Sequence, residues 1–509
     1  MIRTTIAAFT AWIFLGIAIP VVCAPQDGSG KEQRPRGTGR GGRGHEGHRG
    51  GPQGGFRTEV PPHPYDLVLA RPTKNATTLS VLSYTNAECY IAYGTQPGRC
   101  SQKTPTCALK AGQPSEMAVA PLQPNTRYYY QFCSRVQGSA TFEKSPEHTF
   151  HTQRPPGATF TFTVQADSHL DSNTEPSVYT RTLANALADA PDFHIDLGDT
   201  FMTGKYRDDR PAASQQYLAQ RYYFGLIGHS APVFLVLGNH DGEKGERRRE
   251  EEASVWANMM RKKYFSNPVP DSFYTGNEIK HETAGLLENY YAWEWGDALF
   301  VMLDPFWPSS AGGRDSDENW NRTLGLAQYQ WLKRTLEQSR AKFRLVFIHH
   351  LVGGITPEGR GGSETAPYYE WGGKNRDGSD GFKQNRPGWP LPIHELLARN
   401  HVNIVFHGHD HLFAKQEFGG IIYQEVPQPG FPGDGRAPRS AAEYGYVEGT
   451  ILGSPGHMRI TVSPEKVTAD YILSCPPGEG TSNRKNRRIA CSYTIPKGGA
   501  AGAARTNPK

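Results

Sequence analysis

Val233-Phe234-Leu235-Val236-Leu237-Gly238-Asn239-His240-Asp241 is the stretch that decides the reading of this 509-residue chain. Five apolar residues, with β-branched and aromatic types among them, predict a fully buried strand, and a glycine punctuates its end. Asn, His and Asp follow at once. Working outward, the same arrangement recurs four times. A strand predicted over Thr159–Gln165 leads to Asp167-Ser168-His169, and one over Phe193–Leu197 leads to Gly198-Asp199. Arg344–Ile348 leads to His349-His350, and Val402–Phe406 leads to Gly408-His409-Asp410-His411. Helical spacing over Ser177–Asp189, Ala212–Ile227, Leu326–Gln338 and Pro392–Asn400 separates several of these strands. Further strands are predicted at Ala298–Leu303 and Ile421–Val426, and Met458–Val462 with Val467–Leu473 reads as a hairpin. Strand–helix alternation predicts an α/β fold, in which ligands bind beyond the carboxyl ends of the strands.

Five strand ends thus bring Asp, Asn and His to one rim. Carboxylate and imidazole together favour Fe, Mn, Zn or Co. Two ions about 3.5–4 Å apart need a bridging residue, and a carboxylate has two oxygens to offer. Glycine before Asp199, Asn239 and His409 permits tight turns that aim the next side chain inward. Each motif alone is weak: Asp-x-His recurs by chance, and a single histidine is more often structural. His194, within a strand, reads as core-facing, and His401 as surface. All five motifs in order, each after an apolar strand, form a specific pattern.

That ordered set resembles the calcineurin-like metallophosphoesterase superfamily, whose pattern runs Asp-x-His, Gly-Asp, Gly-Asn-His-Asp/Glu, His, Gly-His-x-His. The resemblance covers residues 158–475 and implies a metallophosphoesterase β-sandwich flanked by helices (αββα). It also implies roles. Asp167, His169, Asp199 and His411 would hold a first metal, with Asp199 bridging, and Asn239, His349 and His409 would complete a second. His240 would donate a proton to the leaving group or stabilise the transition state. His349 and His350 compete for one position, since adjacent strand residues face opposite ways; His349 is preferred because it directly ends the apolar run. The mechanism implied is direct hydrolysis by metal-activated hydroxide. No Gly-x-Ser-x-Gly elbow supplies a protein nucleophile.

Residues 61–154 read as a small all-β sandwich, with alternating runs at Tyr65–Ala70, Thr78–Tyr84, Cys89–Tyr93 and Thr126–Cys133. Leu122-Gln123-Pro124-Asn125-Thr126-Arg127-Tyr128-Tyr129-Tyr130 resembles the fibronectin-III corner. A fibronectin-III-like region before this core resembles purple acid phosphatases. Two departures from those enzymes stand out. Met202 occupies the position of their metal-binding Tyr, and His169 that of a Gly. The two metal ions therefore stay open among Fe, Zn and Mn. In the long loop Gly353–Pro390, Arg360, Tyr368, Arg376 and Trp389 are candidates for substrate contact.

The N-terminus reads as an export signal over residues 1–24. Arg3 precedes an uncharged apolar run, Ile6–Ile19, too short for a comfortable span, and Val22-Cys23-Ala24 fits a cleavage site. A retained anchor and a lipidated Cys23 are the competing readings. Residues 25–60 are Gly/Arg-rich, with seven cations and two anions from Lys31 to Arg57, and read as a disordered tether rather than an RNA-binding arm. Six further cysteines (Cys89, Cys100, Cys107, Cys133, Cys475 and Cys491) allow up to three disulfides in an oxidising compartment. Residues 476–509 read as a polar tail. With 23 Phe, 24 Tyr and 9 Trp, the chain has material for a large core, which excludes a collagenous or wholly disordered protein. A net charge of +5 is weak for a nucleic-acid binder. The expected partner is a small phosphate ester, with no nucleic acid and no membrane span after signal removal. The expectation is a secreted, periplasmic or cell-surface phosphoesterase, an acid-phosphatase-like phosphomonoesterase with a phosphodiesterase or nucleotide hydrolase of the same superfamily as the alternative. Mono- against diester specificity stays open, and a binding protein with a vestigial metal core is the rival of a different class.

Overall fold

Apolar runs too short and too β-branched for helices fold as two sheets stacked face to face. A computed structural model of the chain describes residues 55–506, apart from residues 207–208, 246–250, 311–315, 355, 357, 434–436, 477, 479–484 and 499–504. The segment read as an export signal, Cys23 and most of the Gly/Arg-rich stretch lie outside the described residues. No helix among the described residues is long and apolar enough to cross a membrane.

In chain order, the elements that build the site are β1 (Phe160–Gln165), α1 (Pro176–Leu187), β2 (His194–Asp196), α2 (Arg210–Gly228), β3 (Val233–Leu235) and α3 (Glu251–Tyr264). They continue with β4 (Tyr291–Trp295), β5 (Ala298–Met302), α4 (Gly325–Gln338), β6 (Phe343–Phe347), α5 (Ile393–Arg399) and β7 (Ile404–His407). Last come β8 (Phe413–Phe418), β9 (Ile421–Glu425), α6 (Ala437–Tyr444), β10 (Thr450–Leu452), β11 (Gly456–Val462), β12 (Lys466–Leu473) and β13 (Ile489–Pro496). The helices start where the sequence offers caps. Asp209 accepts the Ala212 N–H at 3.1 Å, and proline occupies the first turn of both α1 and α2.

One sheet runs β3-β2-β1-β11-β12-β13, ending on a short strand at Arg505–Thr506. The other runs from a short strand at Thr275–Gly276 through β4-β5-β6-β7-β9-β8-β10. Pairing is parallel between β1, β2 and β3 and between β5, β6, β7 and β9. The parallel strands therefore all end on one rim. Their inward side chains make the central core, in which Phe162, Phe193, Phe300, Phe347 and Phe406 are wholly buried. Phe347 and Phe406 stack at 4.9 Å. The outward face of β5 and β6 packs on α4 and α5 through Val301, Val346, Leu332 and Leu396. Helices α1 and α2 join through Tyr179, Leu183 and Tyr223. The result is the expected mixed α/β architecture with helices outside two central sheets.

Residues 65–151 form two small antiparallel sheets around Leu79, Val81, Ile91, Tyr130 and Phe132. At the predicted corner, the Gln123 N–H donates to the Tyr128 hydroxyl at 2.8 Å. Buried Arg221 of α2 reaches into this region and donates to the Ser80 carbonyl at 3.0 Å and the Asp66 carbonyl at 3.3 Å. It also donates to the carbonyl of Tyr264 at the end of α3, at 2.9 Å. Cys89 and Cys107 are thiols that face each other across paired strands, with Sγ atoms 3.4 Å apart.

Six elements differ from the sequence expectation. Helices α3 and α6 and strands β4, β8 and β10 have no counterpart in the sequence reading. The stretch expected to be a loose tail instead supplies β13, which pairs along β12 from Lys466↔Pro496 to Ile472↔Ile489. Cys491, Tyr493 and Ile495 point into the central core, and that burial orders the segment. Residues 55–60, assigned to the tether, are extended and anchored: Phe56 stacks on Tyr206 at 4.2 Å, and the Arg57 N–H donates to Leu170 O at 2.6 Å.

Arg261 of α3 and Glu243 form a two-pronged ion pair, Nε–Oε1 2.5 Å and Nη2–Oε2 3.0 Å, with both side chains buried. Removing one partner strands the other charge, at a cost of about 3–5 kcal/mol. Arg261→Met is therefore expected to lower the urea midpoint sharply. A midpoint within error of the parent would show the pair to be dispensable.

Candidate metal centre

Each motif residue sits on a tight turn leaving a parallel strand. Asp167, His169, Asp199, His409 and His411 all have positive φ, between 53° and 83°. Non-glycine residues seldom adopt this left-handed region, though Asp and His tolerate it better than most. Of the three glycines expected to allow turns, only Gly198 uses a positive φ, of 96°. Gly238 and Gly408 instead supply space. A Cβ on Gly238 would lie 2.0 Å from the Asp199 nitrogen, and one on Gly408 would lie 2.6 Å from Asp167 Oδ2. The loops can converge only because those atoms are missing.

The convergence produces two groups whose possible ligand atoms lie within 4.8 Å of one another: Asp167, His169 and His411, and Asp199, His349 and His409. In the first, His169 Nε2 and His411 Nε2 each lie 3.5 Å from Asp167 Oδ1. In the second, His349 Nε2 lies 3.4 Å from Asp199 Oδ2. That same oxygen lies 3.6 Å from His169 Nε2, so Asp199 faces both groups. Asn239 Oδ1 sits 3.0 Å from His349 Nε2. His240 Nε2 lies 3.9 Å from Asp199 Oδ2 at the edge of the cluster. The adjacent residues His349 and His350 point in different directions. His349 turns its Nδ1 to the Leu197 carbonyl (2.9 Å) and its Nε2 into the group. His350 turns away, its Nδ1 3.0 Å from Leu351 O and its ring edge-on to Phe306.

Supporting contacts fix these orientations. The backbone N–H of His409 donates to Asp167 Oδ2 at 2.9 Å, and that of His240 to Asp199 Oδ1 at 2.6 Å. Each carboxylate is left with one oxygen for the centre. Two supporting residues escaped the sequence reading. Asp171 Oδ2 lies 3.3 Å from His169 Nδ1. Asp241 accepts four backbone N–H groups, from Gly238 (2.7 Å), Asp199 (3.1 Å), Thr200 (2.8 Å) and Phe201 (2.8 Å). It stood in the quoted motif, but three of its four partners belong to another loop. Of the loop candidates, Arg360 anchors on the His409 carbonyl (2.6 Å) and Asp410 (3.0 Å). Trp389 stacks on Tyr329 at 4.0 Å, and Arg376 is exposed. Met202, at the position of the missing Tyr, is buried with φ 52°.

The electrostatics are those of buried charge in need of partners. Burial opposes ionisation of Asp167, but the imidazoles of His169, His349 and His411 outweigh it and hold its pKa below the usual carboxylate range. Asp199 is lowered likewise, burial being overcome by His349 and His240. Burial would depress His349, yet Asp199 and Asp167 push it up to about 9. Burial lowers His240 to about 3, against the pull of Asp199. For Asp241, burial and then the Asp199 carboxylate raise the pKa to about 7.

These residues fit a pair of cations. Asp167 Oδ1 and His169 Nε2 are buried with no hydrogen-bond partner among the described residues. A cation with bonds of about 2.0–2.2 Å to N and O sets its donors roughly 3–4 Å apart, the separations seen here. The donor set of carboxylate, amide and imidazole suits a binuclear centre of transition metals.

Residues 160–413 match the family model described as calcineurin-like phosphoesterase. The chain thus carries a calcineurin-like metallophosphoesterase domain and is a metal-dependent phosphoester hydrolase. Two solved structures share its fold at low sequence identity. PhoD aligns with a TM-score of 0.61 and 16% identity, over 87% of this chain and 91% of that one. The purple acid phosphatase PPD1 from yellow lupin (Lupinus luteus) seeds aligns with a TM-score of 0.55 and 16% identity, over 84% and 74%. Among curated proteins, none matches this chain in sequence.

Supporting groups around metal ligands typically carry about 10–100-fold in metal affinity. Asp241→Ala is therefore expected to weaken metal retention by about that factor, read as metal content after dialysis against graded chelator. Unchanged retention would show that the four N–H groups need no carboxylate.

Proposed function

We propose that the protein is an exported binuclear-metal phosphomonoesterase resembling acid phosphatases. The observation that carries this reading is the Asp199 carboxylate, with one oxygen within 3.6 Å of ligand nitrogens from both groups. Asp167, His169, Asp199 and His411 would hold a first ion, and Asn239, His349 and His409 a second, with Asp199 shared between them. Its identity is open among Fe, Zn and Mn; the ligand set contains no phenolate, which removes the ground for a coloured ferric–tyrosinate site. When bound, such a pair provides a hydroxide nucleophile near neutral pH and neutralises the phosphoryl oxygens. His240, at the edge of the cluster, offers its ring to the departing oxygen as proton donor or hydrogen-bond donor. His349 keeps its Nδ1 proton on the Leu197 carbonyl, which presents the Nε2 lone pair to the centre. The leader-like residues 1–24 and the cysteine pair at 89 and 107 support an exported, disulfide-forming protein.

The test is hydrolysis of p-nitrophenyl phosphate and of its bis-ester, with and without chelator, together with elemental analysis. The expected result is chelator-sensitive cleavage that favours the monoester. Asp199→Ala or Asn239→Ala should lower kcat by at least about a hundredfold while leaving the circular dichroism spectrum intact. Preference for the bis-ester would assign a phosphodiesterase, and full turnover by either variant would overturn the site.

A further inference from the structure

Beside the first ligand group lies a cavity of about 170 Å³ that shares His411 as a wall. Besides apolar Leu412 and Ala437, its lining includes the polar Asn173, Gln428, Ser440 and Ser454 and the aromatic Phe431 and Tyr444. Gln428 is 1% exposed, and its Nε2 donor has no partner among the described residues. A buried amide donor left unpaired costs about 1–3 kcal/mol, so a group kept in that state points to a ligand atom that completes it. The terminal torsion of a glutamine is broad, so the amide can swing toward the cavity at little cost. Ser454 ties this residue to the metal group. Its hydroxyl accepts the Gln428 N–H at 2.9 Å and donates to the His411 carbonyl at 3.1 Å.

The described lining gives a second anion no cation to pair with. No Lys or Arg is among its described lining residues. Its one carboxylate, Asp410, is already held by Arg360 (3.0 Å), the Gly361 N–H (2.9 Å) and the Tyr446 hydroxyl (2.8 Å). The size is that of one ring, since a cavity of about 150 Å³ takes up benzene. Amides and hydroxyls together with aromatic side chains suit a ring that carries hydroxyls.

Resting on the phosphomonoesterase reading, we propose that this cavity receives the organic part of the substrate, an uncharged polyhydroxylated six-membered ring, and that Gln428 Nε2 donates to one of its oxygens. The substrate class is then a sugar or cyclic polyol monophosphate.

The test compares glucose 6-phosphate with ethyl phosphate, two alkyl monoesters that differ mainly in the ring, on the metal-loaded protein. The parent should show a higher kcat/KM for glucose 6-phosphate. Gln428→Leu keeps the side-chain size, removes the donor, and should cut that preference about tenfold, mainly through KM. Ser440→Trp, at a half-buried position on α6, should fill the cavity and cut the preference likewise. A merely structural role for Gln428 would move both substrates together and leave their ratio unchanged, which would overturn the proposal. So would a parent enzyme that cleaves ethyl phosphate as well as glucose 6-phosphate. A parent that cleaves neither would overturn the phosphomonoesterase reading itself.

Discussion

Two carboxylates with almost no access to water, Asp167 and Asp199, set the terms for everything around them. An ionised carboxylate inside a protein must be matched by opposite charge and by hydrogen bonds, or it will not stay ionised. Here one oxygen of each takes a backbone N–H from a loop distant in sequence, and the other faces imidazoles. Delivering those groups demands backbone that ordinary residues avoid. Left-handed conformations cost on the order of 1–2 kcal/mol each, and five site residues hold them. Such strain persists only where its surroundings over-determine it. The stacked phenylalanines between the sheets and the four N–H groups on Asp241 supply that rigidity.

Much of this was legible in the order of residues. The strand β3 followed by Gly238-Asn239-His240-Asp241 announces its own turn, and four similar endings repeat it. The apolar runs marked the parallel strands to within a few residues, because strands buried on both faces are nearly continuous in hydrophobicity. The all-β stretch before them showed itself by short alternating runs. What escaped was set by tertiary partners. Helix α3 follows a dense run of charges, and its apolar positions gain meaning only against Phe201 and Tyr217. β8, with Lys415, Gln416 and Glu417 at its centre, has the composition of a loop. β13 precedes a run of glycine and alanine and looks like its beginning.

At the site, sequence supplied the residue types, whereas orientation needed the fold. Strand alternation told His349 and His350 apart in principle, and the Leu197 carbonyl, two residues before Asp199, decides which nitrogen faces inward. The glycines show a subtler gap. Tight turns were the natural expectation, yet at 238 and 408 the missing side chain matters because another loop's atoms occupy its place. Met202 adds a chemical difference: with a thioether-bearing residue where a phenol would stand, the candidate donor set is imidazole nitrogen with carboxylate and amide oxygen.

The guanidinium of Arg221 gives the N-terminal strands a meaning beyond decoration. Its hydrogen bonds end on carbonyls of both the small sheets and the helical layer. A catalytic fragment cut at Pro155-Pro156-Gly157 would keep the cation and lose all but one of its acceptors, with an apolar face newly wetted beside it. The two regions therefore share one thermodynamic fate, and any shuffling of this hydrolase onto another partner must carry its β-rich preface along.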